Sequence, residues 1–347
     1  MAGLDLLRLF NDLLLATGGD PEEAMEWMRR LQEEGYLDES IDLEAFFASL
    51  EEQNLVGRDG EGNLSLTSAG ERRIRRSAFE EIFSSLRKGA PGYHRTPGAG
   101  EGSEPLPETR PYRFGDDVHR IDAVRSMHNA LTRTSGGDLT LAEEDLEVQE
   151  TEHLTACATV VAIDISHSMI LYGEDRITPA KKVALALTEL ITTRYPKDYL
   201  GVLLFGDRAQ RVPLSELPYV QAGPYHTNTR EALQMARGML ARQKQPNKQV
   251  FLVTDGKPSA ITEGGGIYKN PFGLDLKIVN RTLEEVDLCR RQGIVITTFM
   301  LATDPLLTDF VEKLTQINRG RAYFASPYNL GEFILADYIK NRRRRVT

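Results

Sequence analysis

The feature that most constrains this chain is the run ATVVAI at residues 158–163. A strand with one wet face alternates polar and apolar residues. A continuous apolar run instead belongs to a strand buried on both faces. Further segments follow in strict alternation. Helices are expected from Thr178-Pro179 and at 229–242, 276–292, 306–318 and 330–340. Strands are expected at 200–205, 249–254, 294–301 and 321–325, with a short edge strand at 211–217. Strands alternating with helices imply an α/β fold, a doubly wound, mostly parallel sheet with helices on both faces.

The chain is 347 residues long, enough for a second, smaller domain. Residues 1–88 read as mainly helical. Asp20-Pro21-Glu22-Glu23 is a helix start. Ser40 is placed to cap a helix carrying Leu43, Phe46, Phe47 and Leu50. Leu55-Val56 and Leu64–Leu66 flank a Gly-rich turn, a hairpin signal. A last helix with Arg72, Arg73, Arg75 and Arg76 completes a pattern that resembles a winged helix. Residues 1–88 hold 19 acidic against 10 basic residues, and the remainder balances, so this segment carries the chain's net charge of −9. Such a surface repels nucleic acid and favours basic protein partners.

Residues 89–111 are dense in Gly and Pro and read as a linker. Residues 112–154 form a bridge, with helical spacing over 118–133 and an extended stretch over 139–148. Residues 155–341 hold the α/β domain, and 342–347 a basic tail whose arginines suit a solvated helix end. No apolar run approaches the length of a membrane span. The opening segment carries Asp5, Arg8 and Asp12, unlike a secretory signal. The two cysteines, Cys157 and Cys289, read as buried thiols in a reducing compartment, and the expected location is cytoplasmic.

In an open α/β sheet, ligands bind outside the carboxyl ends of the strands. Three polar clusters fall there: Asp164, Ser166 and Ser168 in VVAIDISHSM, Thr227 in PYHTNTREAL, and Asp255 in FLVTDGKPS. Two carboxylates and three hydroxyls are hard oxygen donors. That set suits Mg²⁺, with Mn²⁺ or Ca²⁺ as alternatives, and needs no thiolate or imidazole. His167, His226, Thr229 and Lys257 are expected on a partner-binding rim. Asn228 and Glu231 form a candidate capping box. Gly264-Gly265-Gly266 lacks the Lys-Ser/Thr of a phosphate loop and reads as a flexible surface loop. Cys157 has no activating base.

The sequence DISHS matches the Asp-x-Ser-x-Ser signature of von Willebrand factor A (vWA) domains, Thr227 matches their loop threonine and Asp255 their later aspartate. The resemblance spans roughly 155–341. It implies a Rossmann-like sheet with a metal-ion-dependent adhesion site. Ser166, Ser168 and Thr227 would ligate directly, and Asp164 and Asp255 through water. A partner protein would supply an Asp or Glu. The family often has glycine where His167, Tyr225 and His226 stand. The phrases YRFGDDVHRID and NLGEFILADYIKNRRRR resemble bacterial vWA partners of MoxR-type AAA+ ATPases, which implies an adaptor in protein remodelling, maturation or metal insertion. This sequence has no ATP-binding loop, so the ATPase would be a separate subunit.

Two other classes compete with this adaptor. A Mg²⁺-dependent hydrolase or phosphoryl-transfer enzyme would use the same oxygens, but no base, nucleophile or phosphate-gripping set accompanies them beyond Lys257. A winged-helix nucleic-acid regulator would use the arginines at 72–76, against the segment's negative charge. The expectation is therefore a non-enzymatic, metal-dependent interaction module.

Overall fold

A computed structural model describes residues 6–58, 60, 62–88, 100–112, 121–134, 140–151, 156–173, 175–223, 225–270, 275–302, 305–327 and 329–342. The chain opens with helices α1 (Leu6–Ala16), α2 (Pro21–Glu33) and α3 (Leu43–Glu52). The hairpin β1 (Val56–Arg58) and β2 (Leu64–Leu66) and helix α4 (Ser68–Lys88) follow. Asp20 caps α2 by accepting from the Glu22 and Glu23 amides, with Pro21 in the first turn. The cap of α3 is Asp42, which accepts from the Ala45 amide, not the expected Ser40. The Ser40 hydroxyl is spent on Asp38, 2.7 Å away, so the next acceptor takes the cap.

Residues 91–155 belong to a separate compact unit. Strand β3 (Gly100–Pro111) pairs antiparallel with β4 (Glu147–Thr151), and α5 (Ala123–Arg133) lies between them in sequence. This corrects the expectation of a linker running to residue 111. In a two-stranded sheet each strand has an unpaired edge, where prolines that lack an N–H are tolerated. Residues 89–99, and 113–120 with most of the YRFGDDVHRID phrase, lie outside the described residues. The stretch expected to be extended over 139–148 contains a 3-10 turn at Glu143–Asp145. There the Asp145 carboxylate accepts from the Ala142 amide and pairs with Arg133, both at 2.8 Å.

The remaining elements are β5 (Cys157–Asp164), α6 (Ile177–Arg194), β6 (Tyr199–Phe205), β7 (Ala209–Val212), α7 (Thr229–Ala241) and β8 (Asn247–Thr254). They continue as β9 (Ala260–Glu263), β10 (Gly266–Lys269), α8 (Leu276–Arg291), β11 (Ile294–Met300), α9 (Pro305–Asn318), β12 (Arg321–Phe324) and α10 (Leu330–Arg342). Six strands form one sheet in the order β12-β11-β8-β5-β6-β7. Every neighbouring pair is parallel except β6 with the edge strand β7. The expected α/β architecture is therefore observed.

The run that opened the sequence reading is now explained. Every residue of β5 is buried. Val161 and Ile163 pack into the core shared with α6, while Ala158, Val160 and Ala162 pack into the core on the α7 side. The two faces of the strand therefore demand apolar residues at both parities. The core on the α6 side also contains Leu14, Leu15, Ile74 and Ala78, so the N-terminal helices close over the same apolar interior.

Residues 264–266 are not a loose loop. Gly264 (φ 57°) and Gly265 (φ 82°) turn the hairpin between β9 and β10. Two successive positive φ values are what the favoured two-residue hairpin turn requires. Among the described residues, no helix is long and apolar enough to cross a membrane.

Candidate metal centre

The chain runs from β5 to β6 and β7 on one side of the sheet, then crosses to β8, β11 and β12 on the other. The gap between β5 and β8 is thus the point where strand order reverses, and helices leave their ends in opposite directions. Such a gap forms a crevice at the carboxyl edge. Asp164 ends β5 and Asp255 follows β8, so the two carboxylates flank it.

The β5 loop is shaped by its own aspartate. Asp164 Oδ1 accepts from the Ser166 amide at 2.8 Å, which folds the chain back after the strand. A 3-10 helix, His167–Gly173, follows. The Ser166 and Ser168 hydroxyls come to 3.1 Å of each other, and Thr227 Oγ1 lies 3.1 Å from Ser166 Oγ. Ser168 donates to Asp255 Oδ1 at 2.6 Å. The threonine is held by a reciprocal clamp: its amide donates to Ser259 Oγ, and the Ser259 amide donates to its carbonyl, both at 3.0 Å. All five oxygen donors named from the sequence therefore meet in one cluster. Asp164, Ser166, Thr227 and Asp255 are buried.

Two contributors carried no sequence motif. Thr254 donates to Asp164 Oδ2 at 2.6 Å and accepts from the Gly256 amide at 3.1 Å. Its place before Asp255 was the only signal. Arg176, just ahead of α6, pairs through a guanidinium nitrogen with Asp255 Oδ2. A lone arginine in a loop gives no pattern to read.

Does this cluster fit a divalent cation? Neighbouring oxygens around an octahedral Mg²⁺ with bonds of about 2.0–2.1 Å stand about 2.9 Å apart. Two hydroxyl–hydroxyl separations of 3.1 Å are close to that spacing. Burial pushes the Asp164 carboxyl up to about 7, and the nearby Asp255 adds to the rise, against hydrogen bonds from Ser166 and Thr254. A cation beside it restores the ionised form. Space is also kept clear. A Cβ on Gly256 would lie 2.8 Å from Thr227 Oγ1 and 3.1 Å from Ser168 Oγ. The donor set fits a hard cation, and Arg176 opposes it by neutralising part of the charge.

His167 is exposed, and its amide donates to the Tyr225 carbonyl. Lys257 is half-buried. His226 is held by Asp207: Asp207 Oδ1 accepts its amide at 2.8 Å and lies 3.1 Å from its Nδ1. Lys269 pairs with the other oxygen of Asp207. Thr229 is corrected. It is 1% exposed as the first residue of α7 and cannot serve as a rim contact. The capping box is half as expected: Asn228 accepts from the Glu231 amide, but Glu231 takes the Asn228 side-chain N–H, while the Asn228 amide goes to the Gly206 carbonyl. Both cysteines are buried, and burial pushes the Cys289 thiol up to about 12.

Comparison with known proteins places these features. Residues 157–339 match the model of the vWA domain of Rv0959-like proteins. Residues 104–151 match that of the third domain of the same proteins. Uncharacterized proteins of Mycobacterium tuberculosis (Rv0959) and Mycobacterium bovis (Mb0984) are each 31% identical over 308 residues, covering 85% of this chain and 45% of the relative. The chain thus spans less than half the length of these relatives. Among solved structures, the PilB minor pilin of Streptococcus sanguinis is 12% identical, with a TM-score of 0.44 over 59% of this chain and 67% of that one. The vWF domain of the type V pili tip protein Mfa5 of Porphyromonas gingivalis is 14% identical, with a TM-score of 0.42 over 56% and 98%.

Proposed function

Because this chain belongs to the family of Rv0959-like vWA-domain proteins, we propose that it is a divalent-metal-dependent protein-interaction module, an adaptor rather than an enzyme. The vWA domain is commonly a protein-interaction module. The observation that carries it is the convergence of Ser166, Ser168 and Thr227 hydroxyls, spaced at 3.1 Å, in front of the carboxylates of Asp164 and Asp255. Mg²⁺ is the cation favoured by this donor set, with Mn²⁺ or Ca²⁺ as substitutes. When bound, it would offer a carboxylate from a partner protein an electrophilic point of attachment.

The chain's own residues do the rest. The three hydroxyls present neutral oxygens to the cation, so the charge balance falls on the carboxylates. Thr254 and the Ser166 amide fix Asp164, and Ser168 links the β5 loop to Asp255. His167, which is exposed, and Lys257, which is half-buried, would meet an incoming acidic segment. Asp207 Oδ1 lies 3.1 Å from His226 Nδ1 and orients that imidazole.

By resemblance to bacterial vWA partners of MoxR-type AAA+ ATPases, we assign the motor to a separate subunit. This chain would couple that motor to a client protein. Copurification from the native cell with Mg²⁺ or with chelator tests the reading. Ser166→Ala and Asp164→Ala are expected to abolish Mg²⁺-dependent recovery of the partner while leaving the circular dichroism spectrum unchanged. Recovery that ignores both chelator and substitution would overturn it.

A further inference from the structure

The arginines at 72–76 have no part in the metal centre, and the fold gives them a groove of their own. Four of the ten basic residues of segment 1–88 fall within these five positions, so that acidic segment carries one local basic patch. All four sit on α4, whose Ile74 and Ala78 are buried in the core shared with α6. With that face anchored, Arg72, Arg73 and Arg76 are exposed and Arg75 is half-buried. They line a groove of about 790 Å³ between α4 and α6. Leu55, Ala69 and Leu214 give it apolar surface, and Glu189 and Thr192 line it from α6.

The patch is charged and largely unspent. Arg76 forms an exposed pair with Glu80 at 2.8 Å, of the kind that water weakens. The guanidinium groups of Arg72, Arg73 and Arg75 make no ion pair or hydrogen bond among the described residues. Arg72 and Arg76 are one turn apart, a like-charge spacing that weakens a helix. Among the lining residues, four guanidinium groups stand against one carboxylate, that of Glu189. With Glu80 counted as well, the balance stays positive. Such a groove attracts an anion, and a planar guanidinium grips a carboxylate through two parallel N–H donors. Spacing and charge then select among polyanions. Four residues of helix advance about 6 Å, and alternate side chains of an extended peptide stand about 6.6 Å apart. Carboxylates at every second position of an extended segment therefore match Arg72 and Arg76. A nucleic acid duplex would run past the groove onto the rest of segment 1–88, where 19 acidic residues outnumber the basic ones that remain.

We propose that the groove between α4 and α6 is a docking site for an extended acidic segment of a partner protein, gripped by Arg72, Arg73, Arg75 and Arg76. It uses none of the residues of the oxygen cluster and needs no metal, so it does not rest on the reading of a cation there. Glu189 is the residue that limits its affinity, because it sets a like charge against the incoming carboxylates.

The test uses the whole chain in EDTA, with a short fluorescent peptide of alternating Glu and Ser as the probe, read by fluorescence anisotropy. The same peptide with Lys in place of Glu and a short DNA duplex are the comparators. The wild type is expected to bind the Glu-Ser peptide, more weakly as salt rises, and to leave the Lys-Ser peptide unbound. Arg72→Gln combined with Arg75→Gln is expected to weaken binding about tenfold. Glu189→Gln is expected to strengthen it roughly two- to threefold, a gain that loss of fold cannot produce. Ser166→Ala is expected to change nothing, which separates this groove from the metal centre. A wild type that ignores the Glu-Ser peptide in EDTA overturns the proposal, as does equal binding by the doubly substituted chain. Tighter binding of the duplex, lost in the same double variant, overturns it in favour of nucleic acid.

Discussion

Two buried cations at the start of α6 face different parts of the molecule. Arg176, just before the helix, looks into the oxygen cluster at the carboxyl edge of the sheet and meets a full negative charge on Asp255. Lys181, one turn further on, is 1% exposed and looks into the seam beneath the N-terminal helices. It donates to the carbonyls of Leu15, Pro218 and Val220, all neutral. A charge paired with a charge leaves a site whose balance another ion can alter. A charge hydrogen-bonded to three carbonyls is a bolt, since nothing there can be exchanged without exposing three acceptors. Leu15 lies in the last turn of α1, where the helix dipole favours a cation. The same helix thus carries an adjustable end and a fixed flank.

The sharpest way to break this comparison is Lys181→Met. It strands three buried carbonyl oxygens, and the expected loss is about 3 kcal/mol of unfolding free energy. Urea denaturation measures it. The Mn²⁺ affinity of the folded variant is expected to stay unchanged, because the seam and the cluster use different side chains. A variant that loses metal binding in step with stability would show that the flank and the site are one unit. Acid–base behaviour adds a second signature. Burial pulls the Lys181 ammonium down to about 8, while Asp175 pulls it upward. An unfolded lysine keeps its proton to about 10.5. Between those values the unfolded chain binds the extra proton, so stability rises with pH across that window. That rise is expected to be absent in Lys181→Met.

Gly256→Ala probes the other side. Its Cβ would enter the cluster within 3.6 Å of Thr227, Ser168 and Asp164 oxygens. The hydroxyl end of Ser168 or Thr227 must move. Mn²⁺ affinity is expected to fall about tenfold, or about 1.4 kcal/mol. The cost to folding should be smaller, since the strained atoms are side-chain ends rather than backbone. Titration calorimetry and thermal melting separate the two. Unaltered Mn²⁺ affinity would mean that the oxygens in front of Gly256 are not those that hold the cation.

The sheet was legible because burial on two faces erases the period of two, and β5 and β8 show that plainly. The five oxygen donors were legible because each sits at a strand end or loop with a recognisable spacing. What escaped was relational. Arg176 reaches Asp255 across the fold, and no local pattern marks it. Thr229 looks polar and available, but it is the first residue of α7 and is packed inside. The glycines and prolines of 100–111 argued for a linker, yet a strand with an open edge tolerates them. The amphipathic N-terminal helices announced an apolar face without saying that α6 would cover it. That partner is fixed by tertiary packing, which outweighs local propensity.

Lys182 sharpens the comparison at its smallest scale. It sits beside Lys181 on α6 but turns toward Asp12 of α1 and Glu81 of α4, at 2.6 and 3.1 Å. Arg8 reaches the same glutamate at 2.7 Å. This is an ion network at the edge of the seam, with Asp12 37% and Glu81 25% exposed, so water screens much of it. Lys182→Ala is therefore expected to cost about 0.5–1 kcal/mol, measured by urea denaturation. In 1 M salt most of that difference should vanish, because exposed pairs are screened over a few ångströms there. The loss in Lys181→Met should persist at high salt, since its partners are neutral and dry. If the two variants respond alike, the seam is held by surface charge, and Lys181 loses the role of bolt that sets it apart from Arg176.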